Sequence, residues 1–137
     1  MHIIEYSQKV PISLETCWDF FSSPRNLKML TPPHLGFTEI FDGKEMYEGQ
    51  IIIHFLKPLL GLRMQWVTEI THVKSLEYFI DEQRIGPYKF WHHEHRFQRI
   101  LGGIEIIDKI HYMLPFGIIG KAINRFKVSR DLDAIFN

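Results

Sequence analysis

The sequence predicts an α+β fold: an antiparallel sheet of about seven strands, two short helices after the first strand, and one long helix at the C-terminus. Three observations carry that expectation. Residues 36–114 mostly alternate apolar and polar side chains at the two-residue period of a strand. The breaks between those runs are too short to hold a crossover helix, so consecutive strands must run antiparallel. Two other stretches, 13–22 and 118–136, repeat their apolar residues at helical spacing.

Residues 2–10 form the first strand, ended by Pro11, which has no N–H to give to a ladder. Ser13 then suits an N-cap, and Glu15 suits the first turn of a helix whose apolar stripe is Leu14, Cys17, Trp18 and Phe21. Pro24 restarts a second short helix with Leu27 and Leu30 on its apolar edge, and Thr31-Pro32-Pro33 stops it. Strands follow at 37–41, 47–56, 62–73, 76–84, 88–100 and 104–114. Asp42-Gly43, Lys74-Ser75, Gly86-Pro87 and Gly102-Gly103 mark the turns. Gly49 reads as a bulge, and residues 57–61 (KPLLG) as an apolar loop that breaks its strand. In 118–136, Ile119, Ala122, Ile123 and Phe126 share one stripe, while Val128, Leu132, Ile135 and Phe136 lie roughly opposite. Either both helix faces are covered in turn, or the helix is kinked or locally over-wound.

Composition narrows the class. At 137 residues the chain suits one domain, residues 1–137, with a single sizeable core. Sixteen basic and sixteen acidic residues cancel, which gives no electrostatic case for nucleic acid or an anionic membrane. The longest apolar runs fall far short of a membrane span, and no basic segment leads into a long apolar run after Met1. A single cysteine, Cys17, excludes an internal disulfide and suits a reducing cytoplasm; on the apolar stripe it reads as a small core residue. Aromatics make up 14% of the chain, enough to line a hollow as well as fill a core. Oligomeric state is not legible.

The most informative stretch is 81–97, DEQRIGPYKFWHHEHRF, a hairpin whose second strand puts Trp91, His93, His95 and Phe97 on one face. The last strand should neighbour it through Gly102-Gly103, with Ile106, Asp108, Ile110 and Tyr112 on one face. If register permits, Asp108 fixes the tautomer of one histidine. A buried Asp-His pair that only fastens the sheet explains the same residues.

Residues 67–70 (VTEI), 81–97 and 112–117 (YMLPFG) resemble the bacterial SRPBCC group of ligand-binding proteins. That group belongs to the START-related, helix-grip superfamily, with birch-pollen-allergen-like proteins, lipid-transfer domains and polyketide cyclases. The resemblance covers essentially the whole chain, and GPY-x-x-W-x-H-x-H-x-F is its most specific part. It implies a helix-grip fold, the curved sheet wrapped around the C-terminal helix with an apolar cavity between them. It calls for no metal or other cofactor and transfers no reaction.

The expected ligand-binding residues are Trp66, Arg84, Tyr88, Trp91, His93, His95, Phe97, Asp108 and Tyr112. Arg84 would guard the rim or hold an acidic group, and Trp66 would stack on an aromatic or polyene ligand. Asp81 and Gln83 read as hydrogen-bonding to neighbouring strands, and His54, His72, His92 and His111 have no companion pattern. His-x-His with a carboxylate has the donor types of a two-histidine, one-carboxylate metal site, but no Cys or Glu cluster supports it, so no metal is expected.

Three functions fit these residues. The first is binding or transport of a small apolar partner of lipid, polyketide or isoprenoid type. The second is a cyclase, aromatase or dehydratase, with His93 or His95 as acid/base, Asp108 as an auxiliary candidate, and Tyr112 or Arg84 polarising a carbonyl. The third is a protein-interaction domain with a vestigial pocket. The first is preferred, because no nucleophile, phosphate loop or secure metal cluster appears.

Overall fold

The computed structural model describes residues 1–26, 38–59 and 62–115. Seven strands make one sheet: β1 (His2–Val10), β2 (Thr38–Ile40), β3 (Ile51–Leu59), β4 (Leu62–Lys74), β5 (Tyr78–Ile85), β6 (Phe90–Ile100) and β7 (Gly103–Met113). Their order is β1-β7-β6-β5-β4-β3-β2, and every neighbouring pair is antiparallel. Consecutive strands pair through short turns, as the alternation predicts, except that β1 crosses to the far side of β7. The expected C-terminal helix, the cavity beneath it, and the second short helix beyond Asn26 lie outside the described residues; of that helix, Pro24–Asn26 forms a 3-10 turn.

One helix, α1 (Leu14–Phe21), follows β1. Ser13 caps it, its hydroxyl accepting from the Thr16 N–H at 3.1 Å. Leu14, Cys17 and Trp18 face the sheet and bury themselves among Phe79, Phe97, Ile104 and Ile106. Trp18 meets Phe97 edge-on, with centroids 5.3 Å apart, and Phe79 at 6.1 Å. This defines an inner sheet face, the one that carries α1. Truncating Phe97 to alanine removes the ring that Trp18 and Phe21 both touch. We expect Phe97→Ala to cost about 3–5 kcal/mol in a urea unfolding series.

Two strand boundaries, both of β3, differ from expectation by more than two residues. β3 begins at Ile51 rather than at residue 47, because Gly49, at φ +93°, turns the chain and gives its N–H to the Ile70 carbonyl at 2.7 Å. At its other end β3 continues through Pro58 to Leu59, where a break was expected. The register shifts between Leu56 and Leu59, so the proline sits at an irregularity, where a missing N–H is tolerated. At the β6–β7 turn Gly102 takes φ +84°. A Cβ on Gly103 would stand 2.1 Å from the Val10 carbonyl oxygen, so only glycine lets this hairpin approach the end of β1.

Candidate functional site

Residues alternate along a strand, so Trp91, His93, His95 and Phe97 share the inner face of β6, and Trp91, His93 and Phe97 are buried there. The flanking hairpins decide what stands opposite. Pairing of β5 with β6 sets Asp81 across from His93, and pairing of β6 with β7 sets Asp108 across from His95. The β5–β6 tip is pinned by one side chain. Gln83 donates its Nε2–H to the Tyr88 carbonyl at 2.6 Å, and its Oε1 accepts from the Tyr88 N–H at 3.2 Å. A Cβ at Gly86 would come within 2.4 Å of that same oxygen, so a larger residue there would require the Gln83 side chain to shift and loosen the clamp.

The result is a quartet of two imidazoles and two carboxylates. His95 Nε2 lies 2.5 Å from Asp81 Oδ2, and its Nδ1 lies 3.0 Å from Asp108 Oδ1. His93 Nε2 lies 2.8 Å from the same Asp108 oxygen, and its Nδ1 is 3.8 Å from Asp81 Oδ2. Each ring therefore turns one nitrogen to each carboxylate. Trp91 Nε1–H donates to the other Asp81 oxygen at 3.3 Å. The imidazoles stack on each other with centroids 3.6 Å apart, and Phe79 stacks on the far side of His95 at 4.1 Å.

Electrostatics divide the two histidines. Burial alone would push both toward neutrality, and two positive rings at this separation would repel. Burial and then the charge on His95 push His93 below its ordinary value. For His95 burial is outweighed by its bonds to Asp108 and Asp81, which raise it from 6.5 to about 9. Burial likewise opposes ionisation of both aspartates. The hydrogen bond from His95 nevertheless holds Asp81 below the usual carboxylate value, and those from His93 and then His95 do the same for Asp108. The surroundings therefore favour the charged form of His95 between the two carboxylates and the neutral form of His93 stacked on it.

Beside the quartet lies an aromatic wall. Trp66 and Tyr88 each come within 4.9 Å of Trp91 or closer than 6 Å to each other, at centroid distances of 4.9 Å for Trp66–Trp91, 4.9 Å for Tyr88–Trp91 and 5.4 Å for Trp66–Tyr88. Tyr112 closes the group at 5.8 Å from Tyr88, and Ile110 and Leu114 are buried with it. The inner face is therefore apolar under α1, polar at the quartet, and aromatic beyond.

The structure brings together seven of the residues singled out from sequence: His93, His95 and Asp108 in the quartet, and Trp66, Tyr88, Trp91 and Tyr112 in the wall. Two stand apart. Phe97 belongs to the core beneath α1. Arg84 turns to the outer face, where its Nε bonds Glu69 at 2.9 Å and a second nitrogen lies 3.6 Å from Glu82, apart from the quartet and the wall. Asp81 was missed as a site residue. Reflecting the chain about Pro87 puts it opposite His93, so the turn position was the available signal. His54, given no role from sequence, is buried and faces Glu39 at 3.5 Å across β2–β3. Asp81, His93 and His95 can each offer one donor atom within 4.8 Å of the others.

Among the described residues no helix is long and apolar enough to cross a membrane. The sequence matches no family model and no curated protein. Solved structures are similar in shape. A protein from Thermus thermophilus superposes with a TM-score of 0.77 at 12% identity, covering 98% of this chain and 91% of that one. A START superfamily protein from Mycobacterium smegmatis gives 0.76 at 10% identity, over 98% and 92%. Major latex-like protein 151 from Panax ginseng gives 0.66 at 13%, over 98% and 97%. With the seven-stranded antiparallel sheet and α1 in place, the described residues have a START-like fold.

Proposed function

We propose that the protein binds a small, mainly apolar molecule of lipid, polyketide or isoprenoid type against the inner face of its sheet. One observation carries the reading: a wall of Trp66, Tyr88, Trp91 and Tyr112 runs directly into the Asp81–His93–His95–Asp108 quartet. Rings of that size hold an apolar body, and a single polar patch fixes one end of it. Similarity to START-type and latex-type folds supports a ligand-binding role at the level of fold. A reducing cytoplasm fits Cys17, a buried thiol that burial pushes up to about 11.

The test is native mass spectrometry of freshly purified protein, together with tryptophan emission during titration with fatty acids, flat aromatic polyketides and isoprenoid alcohols. A retained apolar species, or saturable quenching that Trp91→Phe diminishes, is the expected result. Clean apo protein with flat titrations in all three classes sinks the proposal.

A second reading has its own observation. The Asp108–His93 bond at 2.8 Å is the arrangement that orients an imidazole for proton transfer. It suits a cyclase or dehydratase on the same molecule, with Tyr112 rather than Arg84 near the carbonyl. His93→Ala separates the two: it abolishes turnover in the enzyme but only changes affinity in the binder.

A further inference from the structure

We propose that Asp81, His93 and His95 form a site for a divalent transition-metal ion, with Asp108 as the carboxylate that orients both imidazoles. The expectation of no metal was drawn from two histidines and a carboxylate of unknown placement. The register places a second carboxylate, Asp81, against the same two rings, so one carboxylate can ligate while Asp108 orients.

The first observation is convergence. Asp81 Oδ2 stands 2.5 Å from His95 Nε2 and 3.8 Å from His93 Nδ1, and all three donors fall within 4.8 Å of one another. Neighbouring donors around an ion with bonds of ~2.1 Å are separated by roughly 3.0–3.4 Å, a value these distances bracket. Loading the site therefore needs Asp81 Oδ2 and His95 Nε2 to part from 2.5 Å and His93 Nδ1 to close in from 3.8 Å.

The second observation is the use of the opposite nitrogens. His93 Nε2 and His95 Nδ1, the atoms turned away from Asp81, both lie on Asp108 Oδ1, at 2.8 Å and 3.0 Å. Histidines that bind metals through one nitrogen characteristically give the other N–H to a carboxylate, which fixes the tautomer and raises the basicity of the ligating atom. Here one carboxylate serves two rings. Trp91 Nε1–H occupies Asp81 Oδ1, and so leaves Oδ2 as the oxygen turned toward the histidines.

Charge agrees. Two largely buried carboxylates carry two negative charges, and a dication with two neutral imidazoles brings the site to zero, where a low-dielectric surrounding favours it. Mixed imidazole and carboxylate donors select Zn²⁺, Fe²⁺, Co²⁺ or Mn²⁺ over Ca²⁺, which prefers a shell of oxygens. Three protein ligands leave coordination positions for an oxygen of a small molecule. This last point, that the ion would hold the polar end of the bound apolar molecule, rests on the proposed function; the metal site itself does not.

The experiment uses the full chain, stripped with chelator, dialysed, and titrated with Co²⁺ and Zn²⁺ with no organic ligand present. We expect one equivalent of Co²⁺ to bind with visible d–d bands, and Zn²⁺ to displace it. Histidine ¹⁵N spectra of the unmodified protein should show His93 and His95 changing together on Zn²⁺ addition, a readout that needs no variant. Asp108→Asn should weaken binding about 10–100-fold, while Asp81→Asn or His93→Ala should abolish it. Absence of d–d bands with unshifted His93 and His95 resonances overturns the site, as does unchanged affinity in Asp81→Asn. Retention of apolar ligands is measured separately on the stripped protein, so the two proposals fail independently.

Discussion

Asp108→Ala should leave the metal-free protein close to unfolding. The substitution strips the common acceptor from His93 Nε2 and His95 Nδ1, both of which sit in a region where the His93 side chain is only 6% exposed. Removing one member of a buried pair costs about 3–5 kcal/mol, because the remaining groups keep their desolvation penalty and lose their partner. A domain of this kind has only about 5–15 kcal/mol in total. The measurement is a urea titration of wild type and variant, compared at constant m-value. A loss below about 1 kcal/mol would mean that water already reaches those nitrogens, contrary to their burial. Asp81→Ala removes the acceptor for His95 Nε2 and Trp91 Nε1 and should also be costly. The double variant should cost less than the sum, since with neither carboxylate present His95 has no reason to hold a proton; a double-mutant cycle reads that coupling directly.

Stability of the metal-free protein should peak near pH 6.5 and fall on both sides, for a different histidine on each. His95 has a folded value raised from 6.5 to about 9. Its contribution is fully present below 6.5 and is lost as pH rises through about 9. Over that window the loss amounts to roughly 3 kcal/mol at about 1.4 kcal/mol per pH unit. His93 has a folded value below 6.5, so the unfolded chain takes the proton first, and stability falls as pH drops from 6.5 toward the folded value. Asp81 and Asp108, both depressed, add a further loss as pH falls below the ordinary carboxylate value of 3.8. Unfolding free energies at pH 5 to 10 in the presence of chelator test this. Deleting His95 should remove the alkaline limb selectively; a wild-type profile flat between pH 6.5 and 9 would contradict the clasped imidazolium.

Strand number, antiparallel pairing and the capped α1 were all legible because they follow from local rules: period-two alternation, glycine and proline at turns, and Ser13 ahead of an apolar stripe. Two strand ends were misjudged at Gly49 and Pro58, where hydrogen bonds to a neighbouring strand decide and the local residues do not. The site was half legible. Alternation alone placed Trp91, His93 and His95 together, and the Gly102-Gly103 turn brought Asp108 near them. Asp81 needed the centre of the Gly86-Pro87 turn to one residue, and Arg84 needed the knowledge that Glu69 and Glu82 share its face. Such facts belong to pairs of strands and cannot be seen in either strand alone.

The four-residue clasp also says something about how this sheet finds its register. A strand that slips by one position sends every side chain to the opposite face. Slippage of β5 would expel Asp81 to the outer face and leave the Nε2 of His95 facing hydrocarbon; slippage of β7 would do the same to Asp108. Apolar cores tolerate a sliding partner far better, because one isoleucine resembles the next. Gln83, by gripping both backbone groups of Tyr88, pins one hairpin independently of the charges. The histidine strand then works as a checksum across three strands: only one alignment lets all four titratable groups be buried together, and misaligned sheets are rejected by the cost of charge left alone.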